Sequence, residues 1–444
     1  MSYSQMRNWQ SDDSNEILIK IGIVAGSLAA MCLFFWFISH SADKLSKVIV
    51  HNTGFWIMIF IALVYGVFRK FTNRGRFAWA ELPLQLAVSF LTIGALYALF
   101  YSTSANLTDT EVWNGWASRA EYYEAWTEEV TYTEQEACGT DKDGNTIYQT
   151  VTKTREDYHG PEWKVQTTVG DFSTDENIYR AYVARFGKEK KEDLHRLNQV
   201  SFGDGNMYLV SHNGAKDDRL VPASREHFFI NYLRASDSIR KVSGAVSGFQ
   251  ELLRPYPRVH AGVYGPIVFD RVIDANVNAP AAWKQTVNQI LDQALTRLGS
   301  DFQVNILVYL AKTSDAQFGY ALEEAWVKGK KNDVIVVIGA NNFPALDFVH
   351  VMAWTKVEEF PITLRNRLRE LADISDAAAL ADIIVDQIKQ PPQQGGFVRL
   401  PMADLEYLIA DIKLPWWCQV LIVIIGGAVS WFTSLLLIEN DLTE

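Results

Sequence analysis

Cysteine is scarce in this chain, three in 444 residues. Cys32 and Cys418 fall within apolar stretches, which leaves Cys138 alone in the polar part. No disulfide framework and no cysteine-based zinc site can be built within one copy. Positive charge is in deficit as well: 41 Lys and Arg against 52 Asp and Glu give a formal net charge of −11. That balance argues against nucleic-acid binding through a basic surface. His159, His195, His212, His227 and His260 stand alone, without the spacing of zinc ligands. No Gly-x-Ser-x-Gly elbow, Walker loop or dinucleotide glycine loop occurs. No cofactor is expected, and no motif assigns an enzyme class.

Four apolar stretches are present, at residues 17–39, 54–68, 83–101 and 416–438. A helix that crosses a bilayer needs about 20 mostly apolar residues. The second stretch is short, and is expected to borrow residues 48–50 or to sit in a locally thinned membrane. The first is too long for the apolar core of a signal peptide and is read as retained. No acid or base lies inside any stretch, and Lys20 is near enough to an end to snorkel. A proton-coupled pathway usually needs such groups, so transport of that kind is not expected. Gly22, Gly26 and Ala30 line one helix face, and Gly426 and Ser430 repeat the interval. Small residues so placed serve packing within the protein's own helices or a homo-oligomer interface.

Arg69, Lys70, Arg74 and Arg76 crowd the loop after the second stretch, whereas the loop before it has only Lys44 and Lys47. Basic flanks stay in the cytoplasm. Both termini are therefore expected there, in an inner or plasma membrane, with residues 102–413 extracytoplasmic. Tyr97, Phe100, Tyr101, Trp416 and Trp417 mark interfaces. Asn106 to Thr108 forms a glycosylation sequon close to the membrane.

In the polar segment, Trp113, Trp116, Tyr122, Tyr123 and Trp126 recur at helical spacing, which predicts a neck helix over 108–128. Alternating runs at 129–136 and 146–153 flank Asp141, Asp143, Gly144 and Asn145 and predict a β-hairpin. Gly144 stands in the wrong place for a calcium loop. A strand is expected at 162–168, helices at 175–186 and 188–197, and a strand at 206–211. A helix capped by Ser224 is expected over 225–234. Beyond these lie a β-like run at 263–276, a helix at 281–298 ended by Gly299, and an apolar strand at 304–311. They are followed by a helix at 315–327 capped by Ser314, an apolar strand at 333–339, a strand at 348–357, and helices at 362–371 and 377–388. Strand, helix and strand in this order predict a parallel βαβ unit covered on both faces.

The helix over 321–326 ending in Trp326, then Gly329, the polar turn Asn332-Asp333 and the hydrophobic strand 334–339 resemble the TPM domain family over about residues 262–389. Members are usually membrane-anchored, with this domain on the periplasmic or luminal side. Those with proposed phosphatase or calcium-binding behaviour carry acids after the second strand and then a glycine-rich turn. Here Ala340-Asn341-Asn342-Phe343-Pro344 follows, Asp347 is the only acid before Glu358, and Ala353-Trp354 stand where glycine is expected. The resemblance implies Asp333 and Asp347 as the catalytic candidates. Strand capping and solvent exposure are their structural alternatives.

The expected fold is a membrane protein with four transmembrane α-helices plus a large α/β (α+β) extramembrane region containing a βαβ TPM-like domain. The expected divisions are a cytoplasmic tail at 1–16, three helices within 17–101, a neck and β-rich region at 102–261, and the TPM-like domain at 262–390. A linker at 391–413, the fourth helix at 414–438 and a tail at 439–444 complete them. The expected role is a non-enzymatic interaction or assembly protein, partnered by the bilayer, by copies of itself and by another membrane or extracytoplasmic protein. A metal-dependent phosphatase-like hydrolase and a homo-oligomeric pore are the alternatives.

Overall fold

The computed structural model describes residues 18–34, 36–37, 43–73, 79–103, 107–140, 142, 144–194, 200–202, 205–212, 220–236, 245–327 and 329–440. The tail at 1–16 lies outside these, as do Arg74, Arg76, Asn106, Asp141, Asp143, His195 and the last four residues. The chain is α+β and divides into two compact units. Residues 1–110, 228–241 and 401–444 form the first, and residues 111–227 and 242–400 the second. Residues on both sides of the expected boundary at 261 thus share one unit.

The first unit is helical: α1 (Leu18–Phe34), α2 (Asp43–His51), α3 (Thr53–Thr72), α4 (Glu81–Thr103) and a final helix, Trp416–Asn440. By length and composition α3, α4 and the final helix can each cross a membrane, and α1 is apolar but shorter. Asn52 accepts a hydrogen bond from the Phe55 N–H at 3.1 Å and caps α3. Residues 48–50 therefore belong to α2 and do not lengthen α3, which instead runs on through Arg69 and Lys70 to Thr72. Inside the bundle Ser89 and Ser430 share a hydrogen bond of 2.8 Å, and Gly426 packs on Ile93 and Met58. Gly22 and Gly26 face open space, and Ala30 is half-buried.

The second unit opens with β1 (Thr108–Tyr123), where a neck helix is expected. Tyr122 pairs directly with Trp163 and Tyr208, stacking at 5.5 and 5.6 Å. Cross-strand aromatic contacts stabilise sheets, so the aromatic spacing is met by neighbouring strands and not by one helix face. A hairpin follows, β2 (Trp126–Thr140) and β3 (Thr146–His159), then β4 (Glu162–Thr167), β5 (Phe172–Thr174) and α5 (Glu176–Phe186). The expected helix at 188–197 is instead a short charged strand, β6 (Lys190–Asp193), with residues 195–199 undescribed. Such a strand suits a sheet edge. After β7 (Val200–Phe202) and β8 (Asn206–Ser211), the expected helix at 225–234 is also a strand, β9 (Val221–Ile230). Ser224 is buried within it; the strand's last residues, with Asn231 and the single turn it caps, α6 (Tyr232–Ala235), belong to the first unit. Strands β5-β4-β1-β8-β6 form one sheet, with β9 also on β1.

The rest of the unit holds β10 (His260–Gly262), β11 (Gly265–Val268), β12 (Val272–Ala275), α7 (Ala281–Asp301), β13 (Asn305–Ala311) and α8 (Gln317–Ala325). It ends with β14 (Asp333–Gly339), β15 (Phe348–Ala353), α9 (Glu359–Arg369) and α10 (Ala377–Lys389). Strands β12, β13 and β14 run parallel, and β15 is antiparallel. One face, with Ile306, Val308, Val334 and Val336, packs on α7, α9 and α10. The other, with Leu307, Tyr309, Ile335 and Val337, packs on α8 and residues 249–259. Both faces are covered, so every residue of β13 and β14 is buried.

Two residues expected to end helices do not do so. Ser314 does not cap α8, whose flanking Ala316 has no side-chain cap bond. Gly299 does not end α7, which continues to Asp301. It lies where a methyl group would overlap the backbone carbonyl of Asn114. Alanine is favoured in a helix by about 1 kcal/mol over glycine, yet backbone cannot yield here. Gly299→Ala is expected to cost about 1–3 kcal/mol, read as a lower denaturation midpoint. A variant more stable than the parent would show that β1 and α7 separate freely.

Candidate functional site

Arg271 enters β12 from a short loop, and it is 1% exposed. A guanidinium keeps its charge and carries five N–H donors, so its burial is costly unless they are met. Nε donates to Asp292 Oδ1 at 2.8 Å. Nη2 donates to Asn114 Oδ1 at 2.7 Å and to Ser224 Oγ at 2.8 Å, and Nη1 donates to Asn305 Oδ1. Asn288, one turn before Asp292 on α7, accepts the Arg271 backbone N–H at 2.6 Å. The guanidinium carbon lies 4.7 Å from the centre of the Phe269 ring.

Asn305 extends the network to Asp333. Its Nδ2 donates to Asp333 Oδ1 at 2.8 Å and to the Tyr256 hydroxyl at 3.3 Å. The hydroxyl donates to the Asp333 carboxylate at 3.0 Å, and the Lys330 N–H donates to Oδ2 at 2.7 Å. Burial pushes the Asp333 carboxyl up from 3.8 to about 6. It also raises Asp292, and with the neighbouring Asp333 charge it raises the Tyr256 hydroxyl.

A carboxyl near 6 lies in the range of general acid or base chemistry, and its position differs from that of the usual ligand sites. Asn305 and Asp333 open β13 and β14, whereas ligand sites in open α/β sheets lie beyond the carboxyl ends of the strands. Asp333 is 1% exposed and Asn305 is fully buried. Asp347 is exposed and lies past the other end of β14, where its backbone N–H meets the Gly339 carbonyl at 2.8 Å. The two expected acids are thus separated by the length of the strand, about 20 Å at 3.3 Å per residue.

At the carboxyl ends, each acid is engaged by nearby backbone. Asp274 accepts the N–H groups of Val277, Asn278 and Ala279 at 2.8, 3.1 and 2.9 Å. Asp347 accepts that of Asn341 at 2.7 Å. Elsewhere in the unit, both oxygens of buried Glu111 accept from the single Arg399 Nη2 at 2.9 Å, and Oε1 also accepts from the Trp113 indole N–H at 2.9 Å. A cavity of about 240 Å³ borders the network, lined in part by Ser224, Tyr264, Phe269, Asp292 and Gln293. Among the described residues no three His, Cys, Asp or Glu side chains are grouped to hold a metal ion.

The lone histidines have separate places. His159 stacks on Trp126 at 4.2 Å, His227 stacks on Trp113 at 3.7 Å, His212 meets Trp116 edge-on, and His260 lies 3.3 Å from Asp270. Arg271, Asn114, Ser224, Asn305 and Tyr256 carry no motif. Three charges, Asp270, Arg271 and Asp274, interrupt the apolar run around β12, and only Arg271 is buried. Compared with known protein families, curated proteins and solved structures, the chain matches none.

Proposed function

We propose that this chain is a membrane-anchored, non-enzymatic interaction protein. In this reading four transmembrane helices, α1 among them, hold it in an inner or plasma membrane with both termini cytoplasmic. Residues 102–413 are extracytoplasmic, with a TPM-like portion at 262–390, and the protein acts with copies of itself and with another membrane or extracytoplasmic protein. The observation that carries this reading is the placement of Asp333. It is sealed, its two oxygens are met by Tyr256, Asn305 and Lys330, and it sits at the amino edge of the sheet. The acid most suggestive of hydrolysis therefore joins structural elements. The TPM resemblance rests on the order of strand, helix, Trp326, Gly329 and strand.

The test uses the full chain. Exposed Cys138 is expected to react with a membrane-impermeant maleimide on intact cells. In mild detergent the particle is expected to hold at least two copies or a bound partner, with no phosphoester hydrolysis with or without divalent metal. Labelling only after permeabilisation would overturn the orientation. A strict monomer without partners would overturn the interaction reading, and hydrolysis lost in Asp347→Asn would establish the enzyme instead.

A further inference from the structure

The β2–β3 hairpin is a long ribbon with little of its own unit against it. Its strands pair from Trp126↔His159 to Thr140↔Thr146, with one register shift. A third strand, β7, joins only at Thr127 to Glu129. Residues 131–140 and 144–150 are exposed on both faces, Tyr148 by 61% and Ile147 by 48%. Two strands alone are marginally stable in water. Strand β3 is the edge of this sheet. Proteins usually guard such edges with charge, proline or a bulge. Here the half of β3 nearest the turn reads Thr-Ile-Tyr-Gln-Thr-Val-Thr, residues 146–152, without charge, proline or glycine. The irregularity in the ribbon lies on β2, between Ala137 and Gly139.

We propose that the outer edge of β3, which no described strand pairs, joins the same edge of a second copy, antiparallel, about a two-fold axis at Thr152. This rests on the interaction reading above and names its partner. The charges of β3 select the geometry. They are confined to its other half, at Lys153, Arg155, Glu156 and Asp157. Parallel, in-register pairing would set each charge beside its own copy, which destabilises a sheet. Antiparallel pairing about Thr152 lays each charged half along the uncharged half of the mate. Lys153 then faces Val151, Arg155 faces Gln149, Glu156 faces Tyr148 and Asp157 faces Ile147. An axis at Lys153 or Arg155 opposes identical cations, and one at Thr154 sets Lys153 against Arg155. Moving the axis toward the turn leaves Asp157 and Tyr158 unpaired. An axis at Thr152 alone pairs all of residues 146–158 with no like charges opposed.

The experiment uses the full chain in mild detergent, with Cys138→Ser as background. Thr152→Cys is expected to give disulfide-linked dimer on mild oxidation, at least tenfold more than Thr131→Cys on β2. Thr152→Lys and Thr152→Glu, each alone, are expected to weaken the dimer about fivefold, and mixing them should restore it. Equal cross-linking at 131 and 152, or no gain on mixing, overturns the proposal. So does capture of a different protein by Thr152→Cys. If the particle is nonetheless oligomeric or partner-bound, the interaction reading stands without the ribbon. A partner-free monomer removes both.

Discussion

Arg271→Met should lower the stability of the second unit by about 3–5 kcal/mol, the usual cost of removing one partner from a buried ionic network. Methionine keeps the apolar stem and removes the guanidinium, so the loss comes from the polar head and the space it filled rather than from the stem. What remains is a buried carboxylate without its guanidinium, beside an amide and hydroxyl cluster whose acceptor oxygens keep only the bonds from Ser224 to Asn114 and from Asn114 to Asn305. Asp292 loses its Nε partner, and Asn305, Asn114 and Ser224 each lose a donor. Those residues belong to α7, β13, β1 and β9, so their loosening spreads through the junction between the antiparallel sheet and the parallel one. Arg271→Lys should recover little. An ammonium on one stem lacks the planar fork that meets Asp292, Asn305 and Asn114 together. Adding Asp292→Asn to Arg271→Met should recover part of the loss, because the stranded charge is then gone. Denaturant unfolding of the full chain in detergent, followed by tryptophan fluorescence, measures all three. A loss below about 0.5 kcal/mol, typical of surface changes, would show that the network is dispensable.

The two halves of the second unit differ in how far they can be read from sequence. Strands β13 and β14 are legible because both faces are covered, which forces a continuous apolar run. Helix α7 is legible because Trp283, Val287, Leu291, Leu295 and Leu298 lie on one buried stripe. Strand β1 is not, because Trp113, Trp116, Tyr122 and Tyr123 fit a helical period equally well. Only the partners Trp163 and Tyr208, distant in sequence, decide for a strand. The same holds at 225–234, where Phe228, Phe229 and Ile230 extend β9 and Asn231 starts the turn. The buried network is harder still. Its members run from Asn114 to Asp333, and no local pattern ties an asparagine in a strand to an arginine over a hundred residues later. Asp333 is the one member that could be singled out, and the bonds from Tyr256, Asn305 and Lys330 that surround it carry no sequence signal.

That environment makes a prediction of opposite sign to ordinary acid denaturation. An unfolded aspartate takes its proton near 3.8, and the folded Asp333 does so at about 6. Between those values the folded state binds more protons, so stability falls as pH rises through the window. The penalty is complete above pH 6, shrinks as pH falls toward 3.8, and is absent below that. At 1.36 kcal/mol per unit it amounts to about 3 kcal/mol. Burial raises Asp292 in the same direction. Asp373, held down by Ser375, works the other way, so the raw profile mixes signs and a difference is needed. In Asp333→Asn the amide cannot ionise. Its Oδ1 can still accept from Asn305 or Lys330, and its Nδ2 can donate to a turned Tyr256 hydroxyl. Wild type minus Asp333→Asn should therefore decline by about 2.5 kcal/mol from pH 4 to pH 7, with the slope of one proton near its middle. Parallel profiles would mean that water reaches the carboxylate in the native state. Asp333 would then be open to a substrate, and the case for a purely structural role would fail with it.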